Sequence, residues 1–212
     1  MPYVCESKVM KLKNKIKEKI KEVFYINNGY IRTKDISSKG INRRYLRDLI
    51  NEGVIERIKQ GLYRWKDVKF DVEEELINVS KIIPHGVICL VSALAYYELT
   101  TYTPGEYTIA VRRNYNIKLP DYPPMKLYYF TDKDYRDGVE KIDINGNIIK
   151  IYNIEKTICD CLRYRNKISK DIIVESIKEY VKRRDKNISK LMNYAAKAKV
   201  KDVVQQYIEV LI

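Results

Sequence analysis

Arg43, Arg44, Arg47 and Asn51 crowd into a short stretch, 43–51, and each carries a flat, multi-donor group. A guanidinium can donate two parallel hydrogen bonds to guanine or to a phosphate, and an amide can do the same to adenine. Apolar Leu46, Leu49 and Ile50 recur among them at helical spacing. A helix over 42–52 would therefore bury one face and present the three arginines and Asn51 on the other. Lys59, Gln60 and Arg64 follow, and Lys34 precedes. These residue types suit recognition of a polyanion by charge and hydrogen bonding.

The elements that must position them are legible on either side. Thr33 reads as the N-cap of a short helix over 34–39, Gly40-Ile41 as the turn, and Asn42 as the cap of the second helix. Gly53 stops that helix as a left-handed C-terminal cap. Two short strands, 54–58 and 62–65, flank a tip at Lys59-Gln60-Gly61. This order spells a winged helix-turn-helix. Helix 42–52 would enter a major groove, with Arg43, Arg44 and Arg47 reaching bases or phosphates and Asn51 reading an adenine. Lys59, Gln60 and Arg64 would hold the flanking backbone or minor groove. Lys34 lies where a phosphate can also meet a helix N-terminus. The alternative is a solvated basic helix in a winged helix that binds protein.

Charge distribution agrees with a nucleic-acid partner. The formal net charge is +13. Residues 1–66 hold 17 Lys+Arg against 7 Asp+Glu, residues 67–150 hold 10 against 13, and residues 151–212 hold 14 against 8. Basic charge thus concentrates on the candidate DNA-binding segment and, more weakly, on the C-terminal helices, a field that draws in polyanions. Lys182, Arg183, Arg184, Lys190, Lys197, Lys199 and Lys201 either extend a DNA footprint or serve solubility. No stretch is long and apolar enough to span a bilayer, and no signal-type apolar core opens the chain. A cytoplasmic protein without a membrane partner is expected.

Catalysis and cofactors find little support. Cys5, Cys89, Cys159 and Cys161 form no CxxC pair, and His85 is the single histidine, so no metal site and no cofactor are expected. The cysteines read as buried reduced thiols. A winged-helix nuclease is the enzymatic rival, and Asp67-x-Lys69 has an acid-x-lysine spacing. That pair falls in a linker, however. Asp132, Asp134, Asp137 and Asp143 read as polar loop and strand edges, and His85, between Pro84 and Gly86, as a turn residue. No catalytic residue is assigned.

Elsewhere a first helix is expected over 8–27, with Val9, Leu12, Ile16, Ile20, Val23 and Phe24 at helical spacing and lysines around the remaining faces. Another is expected over 71–83. The second region opens with an apolar helix over 87–99, then strands at 107–112, 126–131, 139–144 and 148–152, the last two joined by Asn145-Gly146, a hairpin signal. Helices follow over 155–164, 169–184, 188–198 and 201–212. The fold class is α+β: an N-terminal winged helix-turn-helix domain, 1–68, then a mixed α/β domain with a helical C-terminal end, 69–212.

Three stretches carry a family resemblance. Residues 53–64, GVIERIKQGLYR, look like a wing with a basic-Gly-x-Tyr tip. Residues 92–100, SALAYYELT, are similar to a pattern that usually has Gly where Glu98 stands. Residues 155–163, EKTICDCLR, look like a Thr-x-x-Asp helix after a strand, here Thr157 and Asp160. In this order the chain resembles the AbiEi antitoxins, the antitoxin and transcriptional-regulator components of type IV toxin–antitoxin systems linked to abortive phage infection. The resemblance implies binding to inverted repeats in the protein's own promoter, repression of the operon, and neutralisation of a nucleotidyltransferase-like toxin without a stable complex. The second domain would carry the antitoxin activity. Asp160 reads as a structural residue, paired with Arg163 or Lys156 or capping a neighbouring backbone. A stand-alone winged-helix regulator or an adaptor remains the alternative.

Overall fold

The computed structural model describes residues 3–66 and 74–211, with side chains at 14–66 and 74–210. The chain divides into two compact units, residues 1–78 with 145–147, and 79–144 with 148–212. The expected boundary at 68/69, the linker and the Asp67-x-Lys69 spacing lie outside the described residues, as do the side chains of Cys5, Val9 and Leu12.

The first unit runs α1 (Tyr3–Ile26), β1 (Tyr30–Arg32), α2 (Thr33–Ser38), α3 (Arg44–Asn51), β2 (Ile55–Lys59) and β3 (Leu62–Trp65), and α4 (Glu74–Ile82) begins in it. The three strands are antiparallel in the order β1-β3-β2. Helical spacing on α1 puts Ile20, Val23 and Phe24 into the core, where they meet Ile36 of α2, Leu46 and Leu49 of α3, Ile55 and Trp65. Phe24 and Trp65 pack edge to face at 5.2 Å. The α1 lysines stay at the surface, and Lys17 pairs with Glu52 at 2.7 Å.

Local signals set the ends of these helices, with one shift. Thr33 is already helical; the cap position falls to Arg32, whose backbone N–H donates to Asp35 Oδ2 at 2.6 Å. The acid at the third helical position takes over the capping expected of Thr33. Asn42 does cap: its Oδ1 accepts from the Arg44 backbone N–H at 2.9 Å. Gly53 adopts φ +71°. Its N–H donates to the Ile50 carbonyl at 2.9 Å while Val54 donates to Leu49 at 3.0 Å, the paired bonds of a left-handed helix stop.

In the second unit, after α4, come β4 (Val87–Ile88), α5 (Leu90–Tyr96), β5 (Tyr107–Arg112), β6 (Met125–Phe130), α6 (Asp132–Arg136), β7 (Val139–Ile144) and β8 (Asn147–Tyr152). Four helices follow: α7 (Ile154–Arg163), α8 (Lys170–Lys182), α9 (Ile188–Ala198) and α10 (Lys201–Leu211). The sheet is mixed, in the order β6-β5-β4-β8-β7, and the four long strands sit where alternation and the Asn145-Gly146 turn placed them. The expected single helix over 87–99 is wrong. Val87 and Ile88 pair with Ala110 and Ile109, and Ile88 also with Ile151, which makes them the central strand. Leu90, at φ +47°, then reverses the backbone into α5. Asp132 and Asp134, expected in a loop, start the short α6, capped by Thr131 Oγ1, which accepts from Asp134 N–H at 3.2 Å.

Helix α7 is buried along 155–162, charged residues included. Lys156 Nζ and Asp160 Oδ2 pair at 2.9 Å with 6% and 3% of their side chains exposed. The ammonium lies 4.5 Å from the Tyr152 ring centroid and 5.3 Å from that of Phe130. Burial raises the Asp160 carboxyl above the ordinary carboxylate range, with Lys156 opposing. Arg163 turns instead to Asp134 at 3.1 Å. Thr157 donates to the Tyr152 carbonyl at 3.2 Å. The Thr-x-x-Asp pattern is thus occupied inside the core. Cys89, Cys159 and Cys161 are buried free thiols.

Glu98 takes φ +56°, the left-handed conformation that glycine favours, and Leu99 N–H donates back to the Leu94 carbonyl at 2.9 Å. The residue that departs from the family pattern still adopts the backbone the pattern requires. Glycine avoids the roughly 1–2 kcal/mol steric cost of that backbone but has roughly 0.5–1 kcal/mol more freedom to lose on folding. Glu98→Gly is therefore expected to stabilise by about 0.5–1 kcal/mol, seen as a higher urea midpoint at unchanged m-value. A lower midpoint would contradict the helix-stop assignment.

Candidate nucleic-acid interface

Helix α3 separates its faces cleanly. Leu46 and Leu49 are buried, while Arg43, Arg44, Arg47 and Asn51 are exposed. Positions 43, 47 and 51 repeat every four residues and so share one stripe. Arg43 Nε donates to Ser37 Oγ at 3.1 Å, tying it back to α2. The Arg44 guanidinium lies 5.1 Å from the Tyr45 ring centroid and donates to the Tyr45 hydroxyl at 3.3 Å. Arg47 and Asn51 make no side-chain hydrogen bond or ion pair among the described residues. Ser37 and Tyr45 were not singled out from the sequence; a serine ending one helix and a tyrosine beside an arginine reveal nothing until the turn between α2 and α3 brings them together.

The hairpin contributes unequally. Gln60 is exposed at its tip, and the Gly61 carbonyl accepts from the Thr33 backbone N–H at 3.0 Å, fastening the tip to the start of α2. Lys59 is half-buried, and burial, aided by the Arg32 charge, lowers its ammonium below the ordinary lysine range. Lys34 is exposed on α2. Arg57, also overlooked in the sequence, is exposed on β2. Arg64 is not brought to this surface. Only 13% of its side chain is exposed, and it pairs with Glu56 at 2.6 Å and with Glu74 of α4. Beside it, the Tyr30 hydroxyl donates to Asn78 Oδ1 at 2.8 Å, and burial pushes that hydroxyl up to about 12. Arg64 thus joins strand to helix inside the first unit.

The fold order, the exposed basic stripe and the hairpin all fall within one contiguous segment. Residues 18–65 match the family model of the transcriptional regulator AbiEi antitoxins. The match takes in the 53–64 wing stretch and all the interface residues from Lys34 to Arg64, whereas the 92–100 and 155–163 stretches lie beyond it. No curated protein matches the chain.

Outside the AbiEi-matched segment, the C-terminal basic residues divide. Lys182 pairs with Glu179, Arg183 with Asp185, Lys190 with Glu155 and Lys197 with Asp137, at 2.6–2.9 Å. Arg184, Lys199 and Lys201 are exposed without an ion pair among the described residues. Among the described residues no cluster of three or more His, Cys, Asp or Glu could hold a metal ion, and no helix is long and apolar enough to cross a membrane.

Arg64→Ala leaves Glu56 and Glu74 facing each other without their shared cation. The expected loss is about 2–3 kcal/mol of unfolding free energy, the low end of the range for buried pairs because both carboxylates keep some water. Urea unfolding of the variant checks it; an unchanged midpoint would show that Arg64 is not a structural cation.

Proposed function

We propose that the chain is a sequence-specific antitoxin that binds duplex operator DNA, arranged as inverted repeats, through a winged helix-turn-helix. It represses its own toxin–antitoxin operon and neutralises a nucleotidyltransferase-like toxin without forming a stable complex. The observation that carries the DNA half is the exposed Arg43, Arg44, Arg47 and Asn51 face of α3, opposite a buried one, within the AbiEi-matched segment. The toxin half follows from the family.

In this reading α3 enters the major groove and α2 crosses the backbone. Lys34 offers a point charge to phosphate. Lys59 and Gln60 hold the flanking strand from the hairpin, with Arg57 as a further cation. Arg64 acts indirectly, by holding the hairpin against α4. The second unit carries the antitoxin activity on a scaffold stiffened around α7. Cytoplasmic action without a cofactor or catalytic residue completes the reading.

The test has two arms in one host: a reporter driven by the DNA upstream of the gene, and co-expression with the nucleotidyltransferase-like neighbour expected downstream. The proposal predicts repression, relief of toxin-induced growth arrest, and loss of repression when Arg43, Arg44 and Arg47 are all changed to Ala. Repression without relief would leave a stand-alone regulator, a reading favoured by the confinement of the family match to 18–65. Neither repression nor relief would mean an adaptor whose basic helix binds protein.

A further inference from the structure

The arginines of α3 are not equivalent, and their tethers differ in a way that assigns work to each. Arg43 is drawn back toward α2 by its bond to Ser37 Oγ at 3.1 Å. Arg44 lies on the Tyr45 ring with one of its terminal nitrogens donating to the Tyr45 hydroxyl. A guanidinium that reads guanine needs its donor fork free and pointing into the groove. A guanidinium that meets a phosphate needs only charge and one or two donors at the groove edge. The two tethered arginines fit the second task, because α2 is the helix that crosses the backbone in this motif. Arg47 and Asn51 are exposed and untethered among the described residues, and they sit one turn apart on the same face.

We infer that Arg47 and Asn51 are the base readers of α3, Arg47 for a guanine and Asn51 for an adenine, and that Ser37 and Tyr45 are positioning residues that hold Arg43 and Arg44 against phosphates. This rests on the DNA-binding reading above. Four residues of helix rise by about 6 Å, close to two base-pair steps of ~3.4 Å. The guanine and adenine should therefore stand about two base pairs apart in each half-site.

Selection of duplexes from a randomised library by the full chain, followed by salt-titrated affinities on the selected and scrambled sequences, tests the assignment. Arg47→Ala is expected to erase the guanine preference and lower the ratio of selected to scrambled affinity by about 10–100-fold. Arg47→Lys keeps the charge, so it should lose discrimination while keeping the salt slope. Asn51→Ala should erase an adenine preference about two steps away. Arg44→Ala should weaken both duplexes alike and reduce the salt slope by about one. Ser37→Ala should weaken both duplexes alike by a few-fold, with recovery in Ser37→Thr, which restores the hydroxyl; recovery would not follow if Ser37 merely filled space. Tyr45→Phe, which keeps the ring but removes the hydroxyl, should give a smaller uniform loss. If the parent chain selects sequences and Arg47→Ala and Asn51→Ala select the same ones unchanged, the assignment falls and the DNA-binding reading stands. If the parent chain selects no sequence, both fall.

Discussion

Burial of Leu46 and Leu49 against Ile20, Phe24 and Trp65 fixes the rotation of α3, and with it the face the first unit shows to solvent. Each buried leucine contributes on the order of 1.5–3 kcal/mol relative to exposure. A rotation by one residue, about 100° on a helix, would expose leucine and push guanidinium groups into an apolar core without partners. The recognition face is therefore a consequence of the core. The helix stop at Gly53 then sends the chain straight into β2, and the Thr33–Gly61 backbone bond ties the far end of the hairpin to the start of α2. The helices and the hairpin tip of the first unit are held in one frame by few contacts.

The second unit solves a different problem. Its central helix, α7, is surrounded by other elements and still carries Glu155, Lys156 and Asp160 inside. Such groups persist only when paired and hydrogen-bonded. Lys156 and Asp160 pair with each other beneath aromatic rings, and Glu155 accepts from Lys190 and from the Tyr180 hydroxyl. The polar residues of α7 thereby link it to α8 and α9. The family-like Thr157 and Asp160 are spent on this internal network, which leaves recognition to other surfaces.

Local signals made much of this legible. Alternating apolar residues and Asn145-Gly146 located the long strands, and the 3.6-residue spacing of Leu46, Leu49 and Ile50 with Gly53 located α3. Features that depend on a distant partner were not legible. Val87-Ile88 is too short to be read as a strand beside an apolar run that continues helically; only its neighbours β5 and β8 make it one. Arg64 has the residue type of a DNA contact, and nothing near it in sequence announces Glu74 as its partner. Ser37 and Tyr45 gain meaning only once the turn brings α2 beside α3. Glu98 shows the converse: the pattern demanded a left-handed residue, and the chain supplies that geometry without glycine.

The central claim is that this fold reads a particular DNA sequence. Fluorescence anisotropy of the full chain on the duplex upstream of its own gene, against a scrambled duplex and across a salt series, tests it most directly. The account predicts a preference of ~10³-fold or more for the native duplex with a steep fall in affinity as salt rises. Equal and weak binding to both duplexes would contradict it and reduce the basic stripe to a generic field.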